Sequence, residues 1–337
     1  MAVSVKRGRS AQNPREVRSG DFPVGASVEE QLKFLVNYAV LAPSVHNTQP
    51  WLFRILDHTI EIHADRSRAL AVLDPEDRSL IISCGSALSL FEITLKAFGF
   101  GFTTSVFPDL NDADLLARIT ITSEPSGQVA DEAVLRAIVK RNTIRRGFQS
   151  LPLPAAFVDK YHDAGTVLPD FLCVVDEKEA ETLILNQLKE TERLHQEDIH
   201  YRRETDSWMH PMRERSRDGI PMRPEEPNPS ASCWSVDDVP DHATLMMVLT
   251  EPADSPRAWL ETGQHLMELL FDASLHGVNA AIMNLPPSSA ELRRVIKPLT
   301  GCSGDPILLL RFGRPKRKLI TPRRAPVDVM LHPGFRK

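Results

Sequence analysis

Two short stretches hold the side chains that could do chemistry. The first is Ala42-Pro43-Ser44-Val45-His46-Asn47-Thr48-Gln49-Pro50-Trp51, a run of small hydrogen-bonding residues between two prolines. Each proline pushes the residue before it away from helical geometry, so a helix must stop near Pro43 and a strand must start after Pro50. Ser44 to Gln49 then form a neutral polar corner at a strand mouth, the kind of place where ligands bind. The second stretch is Lys140-Arg141-Asn142-Thr143-Ile144-Arg145-Arg146-Gly147-Phe148, with Lys140, Arg141, Arg145 and Arg146 crowded at a helix end. Guanidinium forks collected there suit the oxygens of a phosphate. A solvated basic face is the plainer reading of such a charge run.

The corner resembles the Pro-Ser-x-x-Asn-x-Gln-Pro-Trp signature of the FMN-dependent nitroreductase family, matching at Pro43, Ser44, Asn47, Gln49, Pro50 and Trp51. The basic run is similar to the family's Arg-Arg-Ser-x-Arg element: Arg141, Thr143 and Arg145 fall on it, Asn142 departs from it, and Thr143 keeps the hydroxyl. Gly313-Arg314-Pro315 is similar to an element that ends a core strand in family members. Asp218-Gly219-Ile220-Pro221 resembles a turn of the Acg-type branch, where an insertion covers the flavin.

The resemblance implies FMN as cofactor. Arg141, Thr143, Arg145 and Arg314 would face its phosphate, with Arg145 also serving the N1 and O2 edge of the ring. Pro43, Ser44, Asn47 and Gln49 would complete the cofactor site from the other lobe. Trp208, Asp218 and Gly219 would belong to a lid at about 205–238. It further implies NAD(P)H as a transient reductant and a nitroaromatic or quinone as electron acceptor. A non-catalytic protein that sequesters FMN under a closed lid is the alternative, and a degenerate interaction protein without flavin is a third. No catalytic side chain is required, because flavin carries the chemistry.

Other constellations are weaker. His195 and His200 are five apart, whereas helical metal ligands want three or four, so no metal is expected. His46 adjoins Asn47 and stands within reach of a ring or a substrate, or else is merely solvated. No Gly-x-Gly-x-x-Gly or Walker pattern supports a permanently held nicotinamide nucleotide.

The elements that must position these residues are legible from periodicity. Ser27 and Glu30 have capping-box spacing, and Leu32, Leu35, Val36 and Ala39 form one helical stripe up to Pro43. Trp51–Leu56 and Ile60–Ala64 read as a hairpin, followed by an apolar helix near 79–98 and strands near 102–107 and 115–122. After a breaker cluster at 124–127, a helix from Asp131 runs into the arginines. A helix near 154–164, a strand 171–175 and one long charged helix 177–204 follow. Residues 205–238 show neither period. Strand 243–250, helix 256–276, strand 278–285, a helix from Ser288 or Ser289 and strand 307–312 close the chain.

The 337 residues are 42% hydrophobic with a formal net charge of -5, ample for a large core. Residues 1–26 hold five Lys/Arg against two acids and residues 311–337 hold nine against one, so the body is acidic. That balance argues against nucleic acid as a partner. The tails at 1–26 and 316–337 are expected to be disordered or solvated basic arms. No apolar run approaches the roughly 20 residues of a membrane span and no secretory core is visible near the start, so a cytoplasmic placement is expected. Four scattered cysteines suggest buried small hydrophobes or free thiols.

A weak internal repeat bears on architecture. Gly85–Gly99 and Gly263–Gly277 are equally spaced, placing Leu88 on Leu266, Phe91 on Leu269 and Phe100 on Val278. Only the first copy (27–123) has the Pro-Ser-x-x-Asn corner and only the second (128–315) has the arginines. Taken with this repeat, the resemblance implies an α+β nitroreductase-like sandwich, two degenerate lobes forming an intramolecular pseudo-dimer with one flavin pocket, as a monomer or weak homodimer.

Overall fold

The computed structural model describes residues 13–125, 130–145, 147–162, 169–209, 217–220, 243–251, 253–285, 290–316 and 320–331. Ser27 starts α1 (Val28–Ala39), its hydroxyl accepting the Glu30 amide at 3.3 Å, and the helix gives out before Pro43. The strands β1 (Trp51–Leu56) and β2 (Thr59–Ala64) form a hairpin, with Asp57 at φ 49 in the turn. α2 (Arg78–Ala97), β3 (Gly101–Val106) and β4 (Leu115–Ser123) complete an antiparallel sheet of order β1-β2-β4-β3.

The second half repeats the plan with longer insertions. It runs α3 (Glu132–Lys140), α4 (Ala155–His162), β5 (Leu172–Val175), α5 (Lys178–Glu197), α6 (Ile199–Met209) and β6 (Thr244–Glu251). α7 (Pro256–Leu275), β7 (Asn279–Asn284), α8 (Ala290–Thr300) and β8 (Asp305–Gly313) follow, giving a second antiparallel sheet of order β5-β6-β8-β7. The two sheets share one strand order, and one long buried helix follows the second strand of each. This is the α+β arrangement of two lobes that the sequence implied.

α2 and α7 pack against each other at the repeated glycines. A Cβ on Gly85 would lie 2.1 Å from the Leu260 carbonyl oxygen, and one on Gly263 would lie 2.0 Å from that of Ile82. The Ser86 hydroxyl donates to the Gly263 carbonyl at 3.0 Å across the same contact. Gly99 and Gly277 follow the two helices at φ 82 and φ 71, a left-handed exit that glycine adopts at least cost. Both glycines of each copy thus have a physical reason. α2 is also apolar and long enough by composition to cross a bilayer, but here it is a core helix.

Four expectations are corrected. The helix expected over 177–204 breaks at Asp198, whose backbone turns to ψ 118 and whose carboxylate accepts the His200 amide at 2.8 Å, starting α6. α6 then continues to Met209, inside the stretch 205–238 expected to lack regular structure, while 210–216 and 221–238 of that stretch lie outside the described residues. The terminal segments are not solvated arms where they are described. Pro14 is buried, and the Leu331 amide donates to the Phe53 carbonyl at 2.8 Å beside a Phe53–Met330 bridge, adding the C-terminal segment to the β1 edge. Charge composition hid these short apolar anchors. Cys173 and Cys302, 129 residues apart, form a disulfide with Cα atoms 5.9 Å apart, a pairing that no local spacing reveals. Cys84 stays a buried thiol, as expected.

Substituting Gly85 or Gly263 by valine should therefore cost about 3 kcal/mol or more, as helix backbones are forced apart. Gly20→Ala, where nothing lies within 4 Å, should change urea-unfolding stability by less than about 0.5 kcal/mol. Equal stability for all three variants would contradict the close helix contact.

Candidate functional site

The corner after α1 is a tight turn (Val45–Asn47) with His46 at φ 47, Asn47 at φ 56 and Gln49 at φ 52. Three left-handed residues in four are costly for non-glycine side chains and persist only where surroundings hold them. The holding is visible. The Gln49 amide donates to the Ser44 hydroxyl at 2.9 Å, and Asn47 Nδ2 donates to the carbonyls of Gly219 at 2.9 Å and Pro322 at 3.0 Å. Asn47 Oδ1 accepts from Arg323 Nη1 at 2.9 Å. Gln49 donates to the Arg217 carbonyl at 2.9 Å and accepts the Arg324 amide at 2.8 Å.

The arginine loop is fixed by β-addition. Thr143 bridges to Ala280, the Ile144 amide donates to the Ala280 carbonyl at 2.8 Å, and the Asn142 amide donates to Asn279 Oδ1 at 2.8 Å. The loop thereby becomes a short extra strand on the edge of β7. From it Arg141 reaches back across the lobes, donating Nη2 to the Leu41 carbonyl at 2.8 Å in the turn that ends α1. Arg323 donates to that same carbonyl at 3.2 Å.

Arg141 is 2% exposed and Arg323 is 4% exposed, and among the described residues neither forms an ion pair. Nε and Nη1 of Arg141 and Nε of Arg323 are buried with no hydrogen-bond partner. Burial, then the charges of Arg15 and Arg145, hold Arg141 down to about 9. Arg323 is pushed well below the usual arginine range by burial and by Arg15, Arg141 and Arg145. Arginines elsewhere in the interior have partners: Arg78 pairs with Glu251, and Arg311 with Glu181 at 3.3 Å. Buried cations without an anion are expensive, so this cluster has the signature of an anion site.

Beside the cluster lies a cavity lined by Pro43, Ser44 and His46 of the first lobe and by Thr143 and Arg145 of the second. Most of its remaining wall is apolar, with Ile82 of α2, Leu266 of α7, Leu188 of α5 and Ile282 of β7. His46 is held down to about 4 by burial first and the Arg145 charge second, so it is neutral at pH 7.

Residues Arg217–Ile220 cover the corner. The Gly219 amide donates to the Asn47 carbonyl at 3.2 Å while its carbonyl accepts from Asn47, and Gly219 sits at φ 73 where a side chain would be strained. Asp218 pairs with Arg68, whose guanidinium lies 5.2 Å from the Trp208 ring centroid, and Ile220 lines the cavity. The Glu204 carboxylate accepts the amides of Val72 and Leu73 at 2.9 and 2.8 Å, docking α6 on the first lobe.

The sequence-derived residues therefore divide. Pro43, Ser44, Thr143 and Arg145 line the cavity, and Arg141 stands in the guanidinium cluster beside it. Asn47 and Gln49 are buried with their amide hydrogens given to protein carbonyls, so they hold the corner against the cover and the C-terminal segment. Trp208, Asp218 and Gly219 are part of the cover. Arg314, half-buried at the end of β8, is neither a cavity-lining residue nor one of the charges acting on Arg141 and Arg323. Arg15 and Arg323 were missed, because terminal basic segments read as solvated. The buried partners of Arg323 are distant in sequence and leave no local signal.

The chain is 29% identical over 301 residues to a Mycobacterium tuberculosis protein provisionally named an NAD(P)H nitroreductase, spanning 84% of this chain and 85% of that one. It is 28% identical over 323 residues to Acg of the same organism, also provisionally named an NAD(P)H nitroreductase, spanning 89% and 95%. A solved structure of a variant of NfnB, the FMN and NADPH-dependent nitroreductase of sphigopyxis sp. strain HMH, matches at TM-score 0.38 and 14% identity over 60% of this chain and 99% of that one. No protein-family model matches the chain. The resemblance carried by the corner stands: over most of its length the chain is similar to proteins provisionally named NAD(P)H nitroreductases, Acg among them.

His46 gives the site a pH signature. Its folded pKa lies below the ordinary 6.5, so as pH falls the unfolded chain takes up this proton first. Stability from this group is whole above about pH 6.5 and is lost towards pH 4, by roughly 3 kcal/mol. Urea unfolding of His46→Gln should show that much less acid loss than wild type between pH 7 and 4; parallel curves would contradict a His46 that stays neutral in the fold.

Proposed function

We propose that this chain binds one FMN between its lobes and acts as an NAD(P)H-dependent reductase of small planar acceptors, nitroaromatics or quinones. The observation that carries this reading is the set of buried guanidiniums, free of any described carboxylate partner at Arg141 and Arg323, beside an apolar cavity built by both lobes. The relatives' names agree with it.

The residues present fit a flavin mononucleotide. Arg141 and Arg323 hold orphaned N–H groups for a phosphate dianion, and the Thr143 hydroxyl lies on the same loop. Arg145 lines the cavity and would supply positive charge to offset the negative charge that reduction leaves on a bound ring. His46, being neutral, offers a hydrogen bond there without adding charge. The apolar part of the wall, Ile82, Leu188, Leu266 and Ile282, would pack against a bound ring and limit water there. When bound, FMN supplies the hydride and electron transfer. This arrangement suits a cytoplasmic monomer in which an internal duplication replaces a dimer.

One observation favours a second reading, a protein that sequesters FMN without turnover. Paired hydrogen bonds between Gly219 and Asn47, and the Arg68–Asp218 pair under Trp208, hold the cover shut over the corner.

The protein as purified should be yellow, with about one FMN per chain, and anaerobic NADH or NADPH should bleach it within a turnover time. Bleaching by dithionite alone would overturn the enzyme reading and favour sequestration. In that case Asp218→Asn, which loosens the cover, should restore bleaching by the nicotinamide. Arg141→Gln should release most of the flavin, by roughly tenfold or more in affinity; a colourless wild type that takes up no FMN would overturn both readings.

A further inference from the structure

Arg15 belongs to a short turn (Pro14–Glu16) that Asn13 starts, its side chain accepting the Arg15 amide at 3.1 Å, and that the buried Pro14 anchors. The guanidinium reaches inward. Nη1 donates to the carbonyls of Val139 at 3.0 Å and Arg141 at 3.3 Å, and Nε donates to that of Thr321 at 3.4 Å. One side chain thus ties the N-terminal segment to the end of α3 and to the C-terminal segment that leads to Arg323.

A purely structural staple needs only those bonds. Arg15 has more: Nη2 is buried with no partner, and its charge acts on both Arg141 and Arg323. Among the described residues Arg15 forms no ion pair. Four of the bonds that Arg15, Arg141 and Arg323 make go to carbonyls at the ends of α3 (Val139, Arg141) and α1 (Leu41), and each helix C-terminus offsets roughly half a charge. Three guanidiniums so compensated leave about two positive charges, the complement of a phosphate monoester at neutral pH, whose charge is about -2. A neutral ligand would leave that excess standing.

We propose that Arg15 binds the phosphate of the flavin together with Arg141 and Arg323, so that the N-terminal segment is part of the cofactor site. This rests on the FMN reading and extends it to a residue outside both lobes. The contact adds to specificity for the phosphorylated flavin and leaves the ring untouched.

FMN and riboflavin share the ring and differ in the phosphate, so their affinity ratio isolates the claim. In the full-length apoprotein, flavin-fluorescence quenching should show wild type preferring FMN. Arg15→Gln should lower that preference by about tenfold or more with riboflavin affinity unchanged, and Arg15→Lys should keep most of it. An Arg15→Gln protein with the wild-type ratio, or one that loses both flavins alike, overturns the proposal and leaves the FMN reading intact. Wild type binding both flavins equally, or neither, overturns the FMN reading itself. Should Arg15→Gln fail to fold, wild type still decides: FMN but not riboflavin should shield Arg15 from phenylglyoxal, read by peptide mass spectrometry, and equal labelling with both overturns the proposal.

Discussion

Guanidinium groups from three distant parts of the chain are gathered in the interior without forming an ion pair to any described carboxylate, and the molecule is built to tolerate that. Arg141 comes from the loop after α3, Arg323 from the C-terminal segment and Arg15 from the N-terminal turn. Their like charges oppose one another, and burial opposes each. The fold spends acids freely on other interior arginines, as with Arg78 and Arg311. Among the described residues the partners here are backbone carbonyls and the Asn47 side-chain oxygen, neutral groups that steady the forks without neutralising them. An anion that arrives from solution then meets donors already aimed and already desolvated.

Holding the cluster together requires both lobes to keep a fixed relation, and the glycine contact between α2 and α7 provides it. The corner hangs from α1 and β1 of the first lobe, while the arginine loop is an added edge strand on β7 of the second. The C-terminal segment then crosses back to pair with β1, carrying Arg323 past Asn47 on the way. Left-handed geometry at His46, Asn47 and Gln49 is the local cost of turning the chain sharply enough to meet these elements.

Much of this was legible in the amino-acid order. Ser27 and Asp131 cap their helices as read, the hairpin at Asp57 forms, and the repeated glycines mark equivalent helices. Pro43 and Pro50 bound the corner because proline acts locally. That the corner and the loop line one cavity was implied by the resemblance and could not be read from periodicity. What was hidden was non-local. Asp198 breaks a helix through one side-chain bond, and Cys173 finds Cys302 from far along the chain. Arg15 and Arg323 carry the composition of a solvated tail, yet a few apolar neighbours such as Pro14 and Val329 pin each segment down. The resemblance implied cofactor contacts at Asn47 and Gln49, and the hydrogen bonds they make here close onto the chain itself.

The most direct test of the anion site is the phosphorus NMR signal of FMN added to the apoprotein. Free phosphate monoesters titrate near pH 6. A phosphate seated among three buried guanidiniums is held as the dianion, so its single bound resonance should stay fixed from pH 8 down to about 5. A resonance that titrates like the free cofactor would place the phosphate in solvent and contradict the account.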